Sequence, residues 1–480
     1  MNKKPQMNKR KHFIVVLTLL CSAAIFGQVN KLTLQECVDL ALEKNISIKL
    51  NELDYANAEI DKLSAYASFF PNVNANANHS WNIGLNQNIT TGLLENVTTQ
   101  FSSAGINLGV DVYNGKQNFN QLHRANLNLL AKQYQLADIS EDISLLVANS
   151  FLQIMFNKEI LAVQETQLEV SKAELSRTNV LIEAGVLTVG DIFELEATIA
   201  SQEQAVVQAM NTLRLAKISL AQLLLITNYE TFDIVYEDLD VPFSQIMGET
   251  PKKIYEKSLT IRNDIKLAIT NVEIAETDVD LAKGSLQPSL RAFYGYSTRL
   301  SYADRLAGSG EFSEVPIGFV GSTGEIVNTR VEQREVIGPL SVVDQLGQND
   351  GHNFGIQLNI PIFNAFAAKN NVKRSKINLE RTKRAMEQQQ LDLESNINQA
   401  YNDTSGAFTF YEAAKKTTRA RLDAFNNAQK RFEAGVLNSF NYTQIKQRYE
   451  AAVSDEVRAK YDYIFKLKVL EFYFGIPLAF

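Results

Sequence analysis

Glu183-Ala184-Gly185-Val186-Leu187 recurs 250 residues later as Glu433-Ala434-Gly435-Val436-Leu437. Each copy interrupts a stretch that is otherwise nearly free of proline and glycine. No proline occurs between Pro71 and Pro242, or between Pro361 and Pro477. From 116 to 225 the glycines are Gly185 and Gly190, and from 366 to 474 they are Gly406 and Gly435. Proline and glycine are the residues that punctuate regular structure, so two very long helical segments are expected, each broken once.

Further matches surround the breaks. Val112-Tyr113-Asn114 aligns with Ile362-Phe363-Asn364 at the same offset. Ile48-Lys49-Leu50 and Pro71 align with Ile265-Lys266-Leu267 and Pro288 at an offset of 217, so the second copy carries an insertion of 33 residues between Pro288 and Ile362. A tandem duplication accounts for this, with a first repeat at 28–240 and a second at 241–480. Both long segments keep heptad spacing. Leu161, Leu168, Leu175 and Ile182 share a register with Tyr411, Thr418, Phe425 and Phe432. Beyond the breaks, Ile192, Ile199, Val206, Leu213 and Leu220 correspond to Tyr442, Tyr449, Glu456, Tyr463 and Leu470. Sevens sustained this far indicate coiled-coil packing, and a helix over 116–183 would be roughly 100 Å long.

Between the helices the period changes to two. Val73, Ala75, Ala77, Trp81, Ile83 and Leu85 alternate with asparagines and serine, and Ala104, Ile106, Leu108, Val110 and Val112 with Gly105, Asn107, Gly109 and Asp111. The second copy sets Leu290, Ala292, Tyr294 and Tyr296 against Ser289, Arg291 and Gly295, then Phe354, Ile356, Leu358, Ile360 and Ile362 against Gly355, Gln357 and Asn359. Each repeat thus offers one hairpin, about 72–113 and about 289–363, of strands about ten residues long. One apolar and one polar face fit a transmembrane barrel with a wet interior, and equally a solvated sheet on a soluble core. Four strands cannot close a useful barrel, so the membrane reading needs several chains. The insertion, about 300–352, is expected to be a plain flexible loop.

The chain of 480 residues carries 47 basic and 54 acidic side chains, a net charge of −7 that argues against a nucleic-acid partner. Residues 1–27 hold Lys3, Lys4, Lys9, Arg10 and Lys11, then an apolar run from Phe13 to Leu20 and small residues to Gly27. This reads as a secretory signal peptide cleaved before Gln28. Cys37 then stands alone, without a disulfide partner, and no later stretch reaches the roughly 18 apolar residues of a membrane helix. The histidines at 12, 79, 123 and 352 lack ligand spacing, and neither a phosphate-cradling glycine loop nor a nucleophile elbow is present. No catalytic residue, cofactor or metal site is expected. The acidic group Asp138, Glu141 and Asp142 lies in heptad sequence and reads as a solvated or inter-helix face.

The signal peptide, the duplicated helix–strand–strand–helix–turn–helix unit and the paired Glu-Ala-Gly-Val-Leu breaks together resemble the TolC-like outer membrane efflux protein family, over about 32–478. The resemblance implies an α+β fold: an antiparallel coiled-coil helical barrel above a transmembrane β-barrel, with four strands per protomer in a homotrimeric twelve-stranded barrel embedded in outer-membrane lipid. It implies an exit duct across periplasm and outer membrane, whose tip meets a periplasmic membrane-fusion adaptor linked to an inner-membrane transporter. Residues about 226–256 and the C-terminal tail would belong to an equatorial region. The tip turns, 183–191 and 433–441, would place Gly185, Val186, Leu187 and Thr188 beside Gly435, Val436, Leu437 and Asn438 against the adaptor. The same turns also read as ordinary caps, with a glycine ending one helix and a Thr188–Asp191 capping box starting the next. Asp191, Glu194, Asn441 and Gln444 occupy the family's periplasmic entrance. Aspartates stand at the matching positions of the second turn in the best-known members, and an arginine at the position of Leu437; both are replaced here. Asn72, Asn74, Asn76 and Asn78 would line the barrel lumen, unless water merely tolerates them there. Small-molecule efflux is the leading function. A type I protein-secretion duct, or a non-pore periplasmic structural coiled coil, is the alternative.

Overall fold

The computed structural model describes residues 31–88, 92–185, 188–236, 241 and 244–476. The predicted signal peptide, Val186, Leu187 and the last four residues lie outside them. Contacts divide the chain into two units. One holds 31–59, 127–273 and 381–476, the other 60–126 and 274–380.

The helices recur in matched pairs. Helices α1 (Leu34–Lys44) and α2 (Ile46–Ala67) correspond to α5 (Pro251–Ile261) and α6 (Asn263–Gly284), with equal lengths at the offset of 217. Helix α3 (Gln117–Glu183) and helix α8 (Ala367–Glu433) both have 67 residues, at the offset of 250. Helices α4 (Gly190–Leu223) and α9 (Ser439–Phe474) follow the breaks, and a short α7 (Val342–Gln348) lies in the insertion. The joints before the long helices repeat as well. Gly115 and Lys116 have φ of 67° and 64°, and Ala365 and Phe366 have 51° and 64°. Three non-glycine residues therefore hold a left-handed conformation that costs each of them free energy.

In the first unit the heptad residues face inward. Buried positions repeat across the halves: Ile48 with Ile265, Ile143 with Leu393, Val147 with Ile397, Leu213 with Tyr463, and Leu220 with Leu470. Cys37 occupies the place of Ile254, fully buried, and burial pushes its thiol up to about 12. It packs as a small apolar side chain. In the second copy the seam is aromatic, with Phe432 stacked on Tyr442 at 4.6 Å and Phe425 on Tyr449 at 5.4 Å. Two-residue strands β1 (Lys31–Leu32) and β4 (Asp233–Ile234) pair in parallel. Lys158 and Lys217 flank Asp233 at 2.8 and 3.0 Å.

α3 is long and apolar enough to cross a membrane by composition, with a mean hydropathy of 1.2 over an 18-residue window. Its Val147, Ala148, Phe151, Leu152, Ile154 and Met155 are buried in the core of the first unit. Those buried side chains pack this stretch of α3 into the core of the first unit, and a core helix can meet the same length and hydropathy criterion.

The second unit contains a four-stranded antiparallel sheet in the order β2 (Asn72–Gln87), β3 (Leu94–Asn114), β5 (Ser289–Ser301) and β8 (Gly351–Asn359). The first hairpin has strands of 16 and 21 residues, longer than the ten expected. Main-chain pairing continues past the strict alternation, because the ladder needs backbone groups and not polarity. β8 stops at Asn359, so Ile360 and Ile362 are not in it; Pro361 has no N–H to donate. A bulge between Asp111 and Tyr113 removes Val112 from the ladder.

The insertion is not a plain loop. It forms an antiparallel hairpin of β6 (Arg305–Phe319) and β7 (Ile326–Ile337), followed by α7. Gly324, at φ 71°, lets the reversal close through Val320 N–H to Glu325 O at 2.8 Å. Buried Gln345 then ties α7 to the end of β5, accepting from Ser301 N–H at 2.8 Å and donating to Ser301 O at 2.9 Å. Local β-branched content and one buried amide order a segment whose glycines suggested freedom.

Candidate functional site

The turns that follow α3 and α8 both carry a glycine cap. Gly185 has φ 75° and Gly435 φ 70°. At the second turn Gly435 N–H donates to Phe432 O at 3.0 Å and Val436 N–H to Arg431 O at 2.9 Å, which satisfies the last carbonyls of α8. Asn438 then caps α9, accepting from Asn441 N–H at 2.9 Å. The expected Thr188–Asp191 box involves the side chain of Asp191, which lies outside the described residues. α4 starts at Gly190, and Val189, at φ −59° and ψ −25°, holds the cap position without a side-chain bond. A capping side chain needs an acceptor and an extended backbone, and Val189 has neither. Val186 and Leu187 lie outside the described residues, as does the side chain of Asp191.

Arg177 of α3 donates to Glu433 of α8 at 2.9 Å, so the two long helices run side by side as they reach the turns. That bond holds the Glu433 carboxyl below its ordinary range. Exposed apolar side chains flank both turns: Val189 and Phe193 at the first, Val436 and Phe440 at the second. The two phenylalanines were not among the expected tip residues. Their signal was a large apolar residue within one turn of each helix start, off the heptad seam. Glu194, Asn441 and Gln444 are exposed on α4 and α9.

Behind the turns lies a buried charge that sequence reading also missed. Lys446 of α9 is 5% exposed, and its ammonium donates to Glu174 at 2.7 Å and to Ser171 at 2.9 Å, with Glu450 at 4.0 Å. Burial raises the Glu450 carboxyl, which also accepts from Gln202 at 3.4 Å. Burial, then Glu174, pushes the Tyr442 hydroxyl upward. In periodicity Lys446 looks like any charged helix residue; Ser171 and Glu174 stand more than 270 residues away.

The sheet presents the two expected faces. Asn72, Asn74 and Asn76 pair with Gly109, Asn107 and Gly105, and Asn78 with Ser103, so all four asparagines share one face. Asn74 donates to Asn72 and Asn107 to Asn76, both at 3.1 Å. The same face continues through Gly295 and Asn353, and one row along through Phe293 and Gly355. Phe293 departs from the alternation. The opposite face carries Val73, Leu108, Tyr294 and Phe354 in one row. Phe354, Ile356 and Leu358 are exposed there, a patch of the kind that meets lipid or protein. The outer strands, β2 and β8, each have one neighbour within the sheet.

A family profile described as outer membrane efflux protein matches residues 37–224 and 254–475. Among solved structures, the outer-membrane channel OprN is similar at a TM-score of 0.73 and 16% identity, over 92% of this chain and 90% of that one. The outer membrane protein VceC from Vibrio cholerae gives 0.72 and 13%, over 92% and 96%. The Campylobacter jejuni CmeC outer membrane channel gives 0.70 and 16%, over 92% and 85%. No curated protein matches. The solved channels share the fold, and the profile takes in both halves of the duplicated pattern: the chain belongs to the outer membrane efflux protein family.

Proposed function

We propose that three copies of this chain form a passive exit duct, which carries small molecules across periplasm and outer membrane for a tripartite pump. The observation that carries this reading is the four-stranded sheet with one apolar face, one amide-rich face and two open edges. In lipid every backbone group needs a partner, and closure with neighbouring copies supplies one for each edge. The apolar face then meets outer-membrane lipid, and Asn72, Asn74, Asn76 and Asn78 line the lumen. The repeats at 28–240 and 241–480 descend from one unit, a reading supported by helix bounds that recur at two offsets. The turns at 185–188 and 435–438, with exposed Val436, Phe193 and Phe440, dock a periplasmic adaptor, which links the duct to an inner-membrane transporter. Asp191 and Glu194 provide any cation preference at the entrance, since Asn441 and Gln444 carry no charge. Changing both acids to amides should reduce the cation selectivity of reconstituted channels; unchanged selectivity discards that role.

The direct test is retention of dyes, antibiotics and metal ions in cells with and without the gene. Higher retention in the deletion strain, reversed by complementation, supports efflux. Unchanged retention with a protein lost from the culture supernatant supports the secretion duct instead.

A further inference from the structure

The amide-rich face holds two large side chains, each laid flat over a glycine of the next strand. The Phe293 ring lies over Gly355, where an added Cβ would stand 3.0 Å from Cζ. Arg291 reaches the other way, across β3, and a Cβ at Gly109 would stand 2.6 Å from Nη2 and 3.1 Å from Nε. In register, Arg291 lies between Asp111 and Gln357. Its guanidinium is 4.0 Å from the Asp111 carboxylate, and the side chain as a whole is 57% exposed. That separation is too long for a hydrogen bond, so the positive charge is only loosely compensated. The recess beside it is lined by amides, Asn72, Asn107 and Gln357 among them. Arg291 is the third residue of β5, at the end of the strand that follows α6.

We propose that Arg291 is a selectivity-determining residue of the duct. Three guanidinium groups ring the helix-side end of the barrel, attract anionic solutes and retard cationic ones at that level. This rests on the trimeric-duct reading with the amide face inward. Gly109 is a positioning residue, because its missing side chain lets the guanidinium lie against the wall and leaves the bore open. A fixed charge lining a narrow pore raises the local concentration of its counter-ions.

The test is the reversal potential of the full-length protein in planar bilayers under a potassium chloride gradient. Arg291→Gln should raise the potassium-to-chloride permeability ratio by about twofold or more, Arg291→Lys should keep it near wild type, and Asp111→Asn should lower it. Gly109→Ala should keep the sign of the reversal potential and reduce conductance, as the guanidinium is lifted from the wall. An unchanged ratio in Arg291→Gln overturns the proposal. If that variant does not insert, Asp111→Asn decides, and no shift toward chloride overturns it equally. A wild-type protein that conducts nothing would instead remove the duct reading itself.

Discussion

At the scale of single residues, Lys446 and Asp138 show charge being handled in opposite ways. The Lys446 ammonium sits among Glu174, Ser171 and Glu450, so its burial is compensated. Removing it strands two half-buried carboxylates, and Lys446→Met is expected to lower stability by about 3 kcal/mol. The more exposed Arg177–Glu433 pair should matter far less when Arg177→Met breaks it, because solvent screens it. Denaturant melts of the two variants in detergent measure the difference. Asp138 has the reverse problem. Burial, with Asp142, Asp264 and Glu141 close by, pushes its carboxyl from 3.8 to about 6, and Arg262 offsets only part of this. The folded chain therefore holds this proton more tightly than the unfolded one. Its contribution to stability is present at low pH, declines as pH rises from about 4 to about 6, and stays lost above that. Asp138→Asn should flatten that part of the stability curve and raise the melting midpoint at pH 7, as thermal scans between pH 4 and 8 would show. The acidic group thus lies between helices, one of the two places its heptad sequence allowed.

At the scale of elements, the two strand-to-helix joints share a backbone conformation and differ in what surrounds them. Gly115 and Ala365 share a left-handed backbone. A Cβ at Gly115 would stand 2.2 Å from the Gly284 carbonyl oxygen, which a main-chain group cannot yield easily. Gly115→Ala should therefore reduce the yield of folded protein sharply, read as heat-stable oligomer after detergent extraction. Ala365 already carries its methyl group, and Ala365→Gly should stabilise by about 1 kcal/mol by relieving the left-handed strain. The breaks after α3 and α8 were legible in the sequence because a glycine cap is a local device. The insertion was misread. Its glycines suggested a loop, while the hairpin depends on cross-strand pairing and on Gln345 reaching Ser301 from 44 residues away.

At the scale of the molecule, the sheet's open edges set the expectation. Each chain has two of them, so the protein extracted in mild detergent should have the mass of three chains by native mass spectrometry. A monomeric mass with intact strand content would sink the closed-barrel arrangement. The extended apolar row of Phe354, Ile356 and Leu358 requires the same outcome, since an exposed patch beside an open edge invites uncontrolled pairing.

The amino-acid sequence by itself determined the helix lengths, the two breaks, the repeat offsets and the two faces of the sheet. All of these are written in spacing along the chain: sevens for seams, twos for strands, glycine and proline for stops. Tertiary structure alone decided which charges are buried, that Arg291 and Phe293 lie across glycines on the amide-rich face, and that the insertion folds. Each of those depends on partners tens to hundreds of residues distant, and local periodicity carries no information about what a side chain meets once the chain has packed.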